Sequence, residues 1–272
     1  MTSVPRHHIP ERLLTDLSES ELRARVARAQ TYALEMCAIE GAPEPTVEQA
    51  RDHLAYIFKL EEAGRLYGSG PVGPSRESQG YELAIVIAAS QAQAEEYAEN
   101  EPLQKAGLLK IKVISHIINE GVACYFAREL SNRVAQSGAD FNPDTSTVGL
   151  SYEDLVGRAW GANMHLIRLR PGERIRPSSD KQVGYDHFIW LRENEMRAQL
   201  LSCGPFEIPH APGIWGGGLA VVATDFNRAE ELRAAEPSGQ AGYRSLSVEP
   251  WVMDYGLAAP IAKALENLNR LA

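Results

Sequence analysis

The spacing of apolar residues changes repeatedly along the chain between the period of a strand and the period of a helix. Alternating or continuous apolar runs predict eight strands, four in each half of the chain. They cover residues 32–39, 66–69, 81–89, 108–118, 164–169, 200–202, 219–224 and 243–251. Apolar residues three and four positions apart predict two helices among the strands of each half. Each half therefore has the order βαββαβ.

Capping signals mark several helix starts. Residues 46–49, Thr-Val-Glu-Gln, have the form of a capping box, and Gly64 suits the end of the helix that follows. A similar box at 18–21 predicts an N-terminal helix that reaches about Gln30. Further helices are predicted at 122–134, 152–160 and 258–271.

The two halves also share a sequence pattern. From a His to the Gly of a Gly-Pro pair there are 17 positions in both, at 53–70 and at 187–204. A Glu-Pro pair follows in each half, at Glu101 and Glu236, and an Ala-Gly pair comes soon after it. The pattern recurs at an offset of 134–135 residues. This period is too long for a solenoid repeat and indicates a duplicated small domain.

The order βαββαβ predicts a ferredoxin-like unit, an α+β fold in which two helices cover one face of an antiparallel sheet. The other face of each sheet needs a partner, and the second repeat is available to cover it. Residues 81–89 and 219–224 are apolar on both alternating sets, which is typical of strands that are covered on both sides. We therefore expect two ferredoxin-like units that form one pseudo-dimeric α+β barrel within the chain.

These features divide the chain into five segments. They are an N-terminal helical lead (1–30), repeat 1 (31–118), a helical and polar connector (119–161), repeat 2 (162–255) and a C-terminal helix (256–272).

The motifs in this arrangement resemble those of YCII-related domains. Repeat 1 carries Arg-Asp-His-Leu at 51–54, Ser-Gly-Pro at 69–71 and Glu-Pro at 101–102; repeat 2 carries Asp-His-Phe at 186–188, Cys-Gly-Pro at 203–205 and Glu-Pro at 236–237. The resemblance covers about 30–118 and 162–255. It implies the dimeric α+β barrel superfamily and a His–Asp pair in a pocket of the barrel. Here Glu replaces the family's Asp in both copies. One relative is a dehydrochlorinase, and muconolactone isomerases share the barrel more distantly.

His53 and His187 are the candidate general bases. His53 shares a helical stripe with Ile57 and Leu60, and His187 shares one with Trp190 and Leu191, so both should face the sheet. An imidazole that is oriented by a carboxylate is a base suited to neutral pH, and Glu101 and Glu236 are the candidate orienting groups. The alternative is that each His is a core residue and each Glu a solvated turn residue. Repeat 1 keeps Arg51 and the His-Leu pair, so we expect His53 to be the active copy.

Substrate-binding residues are predicted at two places. Ser69 with Gly70, and Cys203 with Gly204, occupy the same slot at a strand end, where glycine permits a ligand to approach the backbone. Cys203 as a nucleophile would need a lowered thiol pKa and an adjacent base, so packing is the alternative. Arg168 and Arg170 could bind an anionic substrate group by forked hydrogen bonds, or belong to a solvated face.

Composition narrows the class of protein. The chain has 272 residues, a net charge of −9 and a pI near 5.4, which argue against nucleic-acid and anionic-membrane partners. Its three cysteines are widely spaced and form no disulfide or zinc pattern, and no apolar signal segment is seen, so we expect a cytoplasmic location. The sequence has no metal-site signature, so no metal is predicted. Related barrels can hold haem, but no residue here is singled out as its ligand, so no cofactor is predicted either. Pairing of two chains into a homodimer is compatible with this architecture.

The sequence thus predicts a cofactor-independent enzyme that moves protons on a small, ring-containing metabolic intermediate. Elimination, isomerisation and hydrolysis stay open, which places the protein among lyases, isomerases or hydrolases of catabolism. A small-ligand-binding protein without turnover and a purely structural barrel are the alternatives.

Overall fold

The computed structural model describes residues 28–73, 81–137, 147–174, 181–207 and 216–270. The predicted N-terminal helix lies outside these ranges up to residue 27, and its expected end at Gln30 is wrong, because Ala29 and Gln30 belong to the first strand. None of the helices in the described ranges is long and apolar enough to cross a membrane.

Repeat 1 has the predicted element order with one short addition. Its elements are β1 (Ala29–Ala38), α1 (Val47–Glu62), β2 (Leu66–Pro71), β3 (Glu82–Val86), α2 (Gln91–Asn100), α3 (Pro102–Lys105) and β4 (Leu109–Ile118). The predicted capping box at Thr46 and Gln49 is present at the start of α1. The addition is the short helix α3, which starts at the proline of the Glu-Pro pair.

Repeat 2 follows two connecting helices and restates the same order. The connecting helices are α4 (Cys124–Ser137) and α5 (Tyr152–Val156). Repeat 2 comprises β5 (Ala162–Pro171), α6 (Lys181–Met196), β6 (Leu200–Gly204), β7 (Gly218–Val222), α7 (Phe226–Ala234), α8 (Pro237–Gln240) and β8 (Arg244–Met253), and α9 (Ala259–Arg270) comes last.

The two repeats form two antiparallel sheets whose edges meet. The strand orders are β2-β3-β1-β4 and β6-β7-β5-β8. At one seam Ser69 of β2 bridges to Tyr255 just after β8, and at the other Cys203 of β6 bridges to Glu120 just after β4. These two bridges are equivalent in the two repeats. The predicted pair of ferredoxin-like units forming one pseudo-dimeric barrel is therefore confirmed.

Glycine makes the seams possible. A Cβ added at Gly70 would lie 1.9 Å from the carbonyl oxygen of Val252, and one added at Gly204 would lie 1.4 Å from that of Ile117. A residue with a Cβ cannot fit at these two positions, because the facing backbone lies too close. The Gly of each Gly-Pro pair therefore allows the strand of one repeat to contact the backbone of the other.

Each sheet has one face in the barrel interior and one under its own helices. On β3, Leu83 and Ile85 belong to the interior cluster together with Leu219 and Val221 of β7. The alternate residues of β3, Ala84 and Val86, pack with α1 and α2. The prediction that these strands are covered on both sides is confirmed.

Candidate functional site

The two Glu-Pro pairs hold their carboxylates rigidly. Glu101 is the N-cap of α3 and accepts hydrogen bonds from the amides of Leu103 (3.0 Å) and Gln104 (2.6 Å). Glu236 is the N-cap of α8 and accepts them from the amides of Ser238 (3.1 Å) and Gly239 (2.7 Å). Proline suits the first position of a helix, so the Glu-Pro pair itself starts each short helix.

Each carboxylate contacts the histidine of its own repeat. Nδ1 of His53 lies 2.9 Å from Oε1 of Glu101, and Nδ1 of His187 lies 2.7 Å from Oε1 of Glu236. The structure thus brings together all four residues predicted as catalytic, as two separate pairs. A carboxylate on Nδ1 fixes the imidazole tautomer that leaves Nε2 available for chemistry.

In repeat 1, Nε2 of the histidine is already occupied. It lies 3.2 Å from Oε2 of Glu82, whose other oxygen accepts a hydrogen bond of 2.6 Å from Ser69 Oγ. The His53 side chain is only 8% exposed. Burial alone would lower the pKa of His53, but the carboxylates of Glu82 and Glu101 outweigh it and raise that pKa to about 10. His53 is therefore a buried imidazolium at neutral pH, and it has no lone pair with which to accept a proton.

In repeat 2 the equivalent histidine faces a cavity. The His187 side chain is 26% exposed, and its Nε2 has no hydrogen-bond partner among the residues that the structure describes. The ring stacks on Trp190 with 6.2 Å between centroids and an interplanar angle of 13°. The cavity beside it has a volume of about 600 Å³, well within the range of small-molecule sites.

The difference between the two sites comes from one strand position. Gly70 pairs with Leu83 in repeat 1 and Gly204 pairs with Leu219 in repeat 2, so the preceding residues, Glu82 and Gly218, are equivalent. Glycine at that place leaves Nε2 of His187 without the carboxylate that closes the first site.

The electrostatics of the second site keep the carboxylate behind His187 ionised. Burial acts to raise the pKa of Glu236, but hydrogen bonds from His187 and Ser238 outweigh it and hold that pKa below its usual value. The carboxylate is therefore charged at neutral pH and accepts a hydrogen bond from the N–H at Nδ1 of His187. Nε2 is then the ring nitrogen of His187 that this carboxylate leaves unengaged.

Cys203 lines the cavity, but its thiol is unsuited to nucleophilic attack. Burial, and then the carboxylates of Glu120 and Glu236, raise the pKa of this thiol far above its ordinary value. The equivalent Ser69 is fully buried and bonded to Glu82. Of the two predicted Gly-Pro slots, only Cys203-Gly204 borders the cavity among the described residues.

The structure places the predicted substrate-binding arginines elsewhere. Arg168 lies in the barrel interior, where Nη1 is 2.7 Å from Glu35 and Nε is 2.8 Å from Glu249. Its guanidinium also contacts the Tyr81 hydroxyl. Arg170 is more exposed and lies 3.5 Å from Glu249. Neither lines the cavity; among the described residues, Arg174 and Arg244 do.

Sequence reasoning missed Asn119 and Glu120, which reach the cavity of repeat 2 from the end of repeat 1. They had been assigned to the connector. A signal was present, because residues 119–121, Asn-Glu-Gly, and residues 254–256, Asp-Tyr-Gly, stand at the same offset of 135 as the strands before them.

His187 is the residue of the cavity best placed to ligate a metal-bearing cofactor. Ligating imidazoles commonly donate their other N–H to a carboxylate, as Nδ1 of His187 does here. One imidazole is enough to hold a haem iron. Within the described ranges no group of three or more His, Cys, Asp and Glu residues could hold a metal ion.

Comparison with known proteins gives fold-level similarity alone. No protein-family model and no curated protein matches the chain, so the likeness to YCII-related domains rests on the motifs. Among solved structures, it resembles a protein named as a chlorite dismutase, with a TM-score of 0.47 and 7% identity over 89% of this chain and 99% of that one. It also resembles a mutant chlorite dismutase from Candidatus Nitrospira defluvii, in complex with cyanide, with a TM-score of 0.45 and 9% identity over 91% of this chain and 98% of that one. A protein named as a monooxygenase from Lactobacillus acidophilus has a TM-score of 0.39 and 11% identity over 84% of this chain and 97% of its own.

Proposed function

We propose that the protein is a small-molecule enzyme in which the His187–Glu236 pair removes a proton from a substrate bound in the cavity of repeat 2. One observation carries the proposal. Nδ1 of His187 is held at 2.7 Å by a buried carboxylate, while the same ring borders a cavity of about 600 Å³. A base of this kind contributes roughly 10²–10⁴-fold to a proton transfer.

The repeat-1 pair has a structural role in this proposal. His53 is hydrogen-bonded or ion-paired through both ring nitrogens, and its imidazolium neutralises the buried carboxylate of Glu101 and the partly buried carboxylate of Glu82. The duplication therefore supplies an internal control, since one chain contains the same pair in an occupied and in an accessible form.

The cavity walls favour a substrate with an apolar body and an anionic group. Phe188, Leu191 and Leu169 supply apolar surface, and Arg174 and Arg244 supply positive charge. Arg174 is oriented by a hydrogen bond of 2.9 Å to the carbonyl of Ala241 and lies over the ring of Tyr243. Guanidinium groups bind carboxylates and phenolates by paired hydrogen bonds. A ring-containing acid fits these walls, and elimination or isomerisation requires only the base that the site provides.

The proposal can be tested without knowledge of the natural substrate. Opening of a nitrobenzisoxazole ring needs only a general base and releases a coloured phenolate. We expect the protein to accelerate this reaction over free imidazole at equal concentration. His187→Ala should lose roughly 10²-fold or more of that acceleration.

The matched control is His53→Gln, which changes the histidine of repeat 1, whose Nε2 already contacts Glu82. It should keep the acceleration within about twofold, provided that the variant is folded by circular dichroism. Equal rates for the wild-type protein and His187→Ala would contradict the proposal.

A second candidate function is the binding of a haem through Nε2 of His187. The hydrogen bond from Nδ1 to Glu236 favours it, because such a bond orients a ligating imidazole and raises its basicity. Bound iron would supply redox chemistry, and His187 would hold it. Titration with haem should then give a Soret shift in the wild-type protein and in His53→Gln but not in His187→Ala. A shift that persists in His187→Ala would exclude this ligand.

A further inference from the structure

The second site contains another ionisable group, contributed by repeat 1. Glu120 bridges to Cys203 at the same seam position where Tyr255 bridges to Ser69, so Glu120 and Tyr255 are equivalent. In repeat 1, Tyr255 packs edge-on against Phe58 of α1, with 5.1 Å between ring centroids, and fills the space beneath the helix. In repeat 2, a shorter and acidic side chain stands at that place and borders the cavity with His187.

The carboxyl group of Glu120 is buried without the hydrogen bonds that a structural carboxylate has. Glu120 is 1% exposed, and neither of its oxygens accepts a hydrogen bond from a residue in the described ranges. Arg192 of α6 brings Nη2 to 2.9 Å from Oε2 as an ion pair, while its Nη1 donates to Glu195. By contrast, Glu236 accepts four hydrogen bonds. Buried carboxyl oxygens without hydrogen bonds cost stability, and a catalytic role is one reason for which a protein keeps them.

We propose that Glu120 is a second acid–base residue of the repeat-2 site, which donates a proton to the substrate while His187 removes one. This inference rests on the proposed function and adds to it a residue from the other repeat. The cavity is then complete only when the barrel has closed, because the base comes from α6 and the acid from the segment after β4.

The protonation state of Glu120 suits this role. Burial raises the pKa of Glu120 to about 7, an effect that Arg192 opposes and Glu195 reinforces. The other titratable groups around it are the thiols of Cys203 and Cys124, which stay protonated, and His187 across the cavity. A substantial fraction of Glu120 therefore carries a proton near neutral pH.

Together, His187 and Glu120 can move a proton from one atom of the substrate to another. Nε2 of His187 takes a proton from a carbon next to a carbonyl group, and the electron pair of the C–H bond forms a C=C bond. The carbonyl π electrons move to oxygen, which takes the proton of Glu120 and gives the enol. Transfer of the proton from imidazolium to the Glu120 carboxylate through solvent restores both groups. In an elimination, the departing group takes the Glu120 proton instead.

The nitrobenzisoxazole reaction tests this role through its pH profile. In the wild-type protein we expect the rate to fall above about pH 7, as Glu120 loses the proton that stabilises the departing phenolate oxygen. Glu120→Gln keeps a hydrogen-bond donor that does not titrate, so this alkaline decline should disappear. Glu120→Leu has no donor and should lower the rate roughly 10²-fold. Glu195→Gln, outside the cavity lining, should keep the decline and move it to lower pH.

Infrared difference spectra provide a readout that does not depend on turnover. The wild-type protein should show a protonated-carboxyl band that titrates near pH 7 and is missing in Glu120→Gln. Loss of rate in His187→Ala combined with a wild-type profile in both Glu120 variants would overturn the role of Glu120 alone. Unchanged rate in His187→Ala would overturn the proposed function itself.

Discussion

Glu82 and Gly218 occupy equivalent positions on β3 and β7, and they decide which of the two histidines is accessible. Glu82 lies 3.2 Å from Nε2 of His53, whereas Gly218 leaves the corresponding side of His187 open to the cavity. The same His–Glu pair therefore stabilises the fold in repeat 1 and is available for chemistry in repeat 2.

Stability should depend on pH through His53. The pKa of His53 in the folded protein, about 10, is above its ordinary value of 6.5. Protonation therefore stabilises the fold fully below about pH 6.5, and this contribution declines as the pH rises towards about 10. Between about pH 7.5 and 9, the free energy of unfolding in urea should fall by up to about 1.4 kcal/mol per pH unit. Glu82→Gln removes one of the carboxylates that raise the pKa, so it should flatten this decline; an unchanged slope would contradict the assignment.

Removing the two histidines should have unequal effects on stability. His53→Ala leaves the carboxylates of Glu82 and Glu101 without their shared cation and should cost roughly 3–5 kcal/mol. His187→Ala leaves Glu236 with its bonds from Ser238 and Gly239 and should cost about 1 kcal/mol. Urea unfolding at pH 7 measures both. Equal losses would show that the two pairs are energetically alike, against the structure.

The carboxylate behind His187 should matter for rate, and the one behind His53 should not. Glu236→Gln keeps an acceptor for Nδ1 but removes the negative charge that stabilises the imidazolium. We expect roughly 10²-fold slower opening of the nitrobenzisoxazole ring. The matched variant Glu101→Gln should leave the rate nearly unchanged while lowering stability. The reverse pattern would assign the chemistry to repeat 1.

Arg168 should link the two repeats. It joins Glu35 of β1 to Glu249 of β8 in the barrel interior, so Arg168→Met would leave two partly buried carboxylates without their cation. We expect a loss of roughly 3 kcal/mol in the free energy of unfolding. Arg170→Met is the control, because that side chain is 55% exposed and its ion pair should contribute about 0–1 kcal/mol. Losses of similar size in the two variants would argue against the interior role.

Much of the local structure could be predicted from the sequence. The capping box at Thr46, the two apolar faces of β3 and the βαββαβ order depend on neighbouring residues and on the period of the side chains, and all three are present in the structure. The Glu-Pro pairs were recognised, but their role as N-caps of α3 and α8 was not, because a one-turn helix has too few residues for a periodic pattern.

The sequence by itself determined that the chain contains two α+β repeats, each with a histidine on a helix and a glutamate 48 or 49 residues later. Only the tertiary structure decided that Glu82 covers His53, that Glu120 reaches the cavity of His187, and that Arg168 lies inside the barrel. The physical reason is that periodicity fixes the face on which a side chain lies. Which residue that side chain contacts depends on strand register and on closure of the barrel, and both involve segments far apart in the chain.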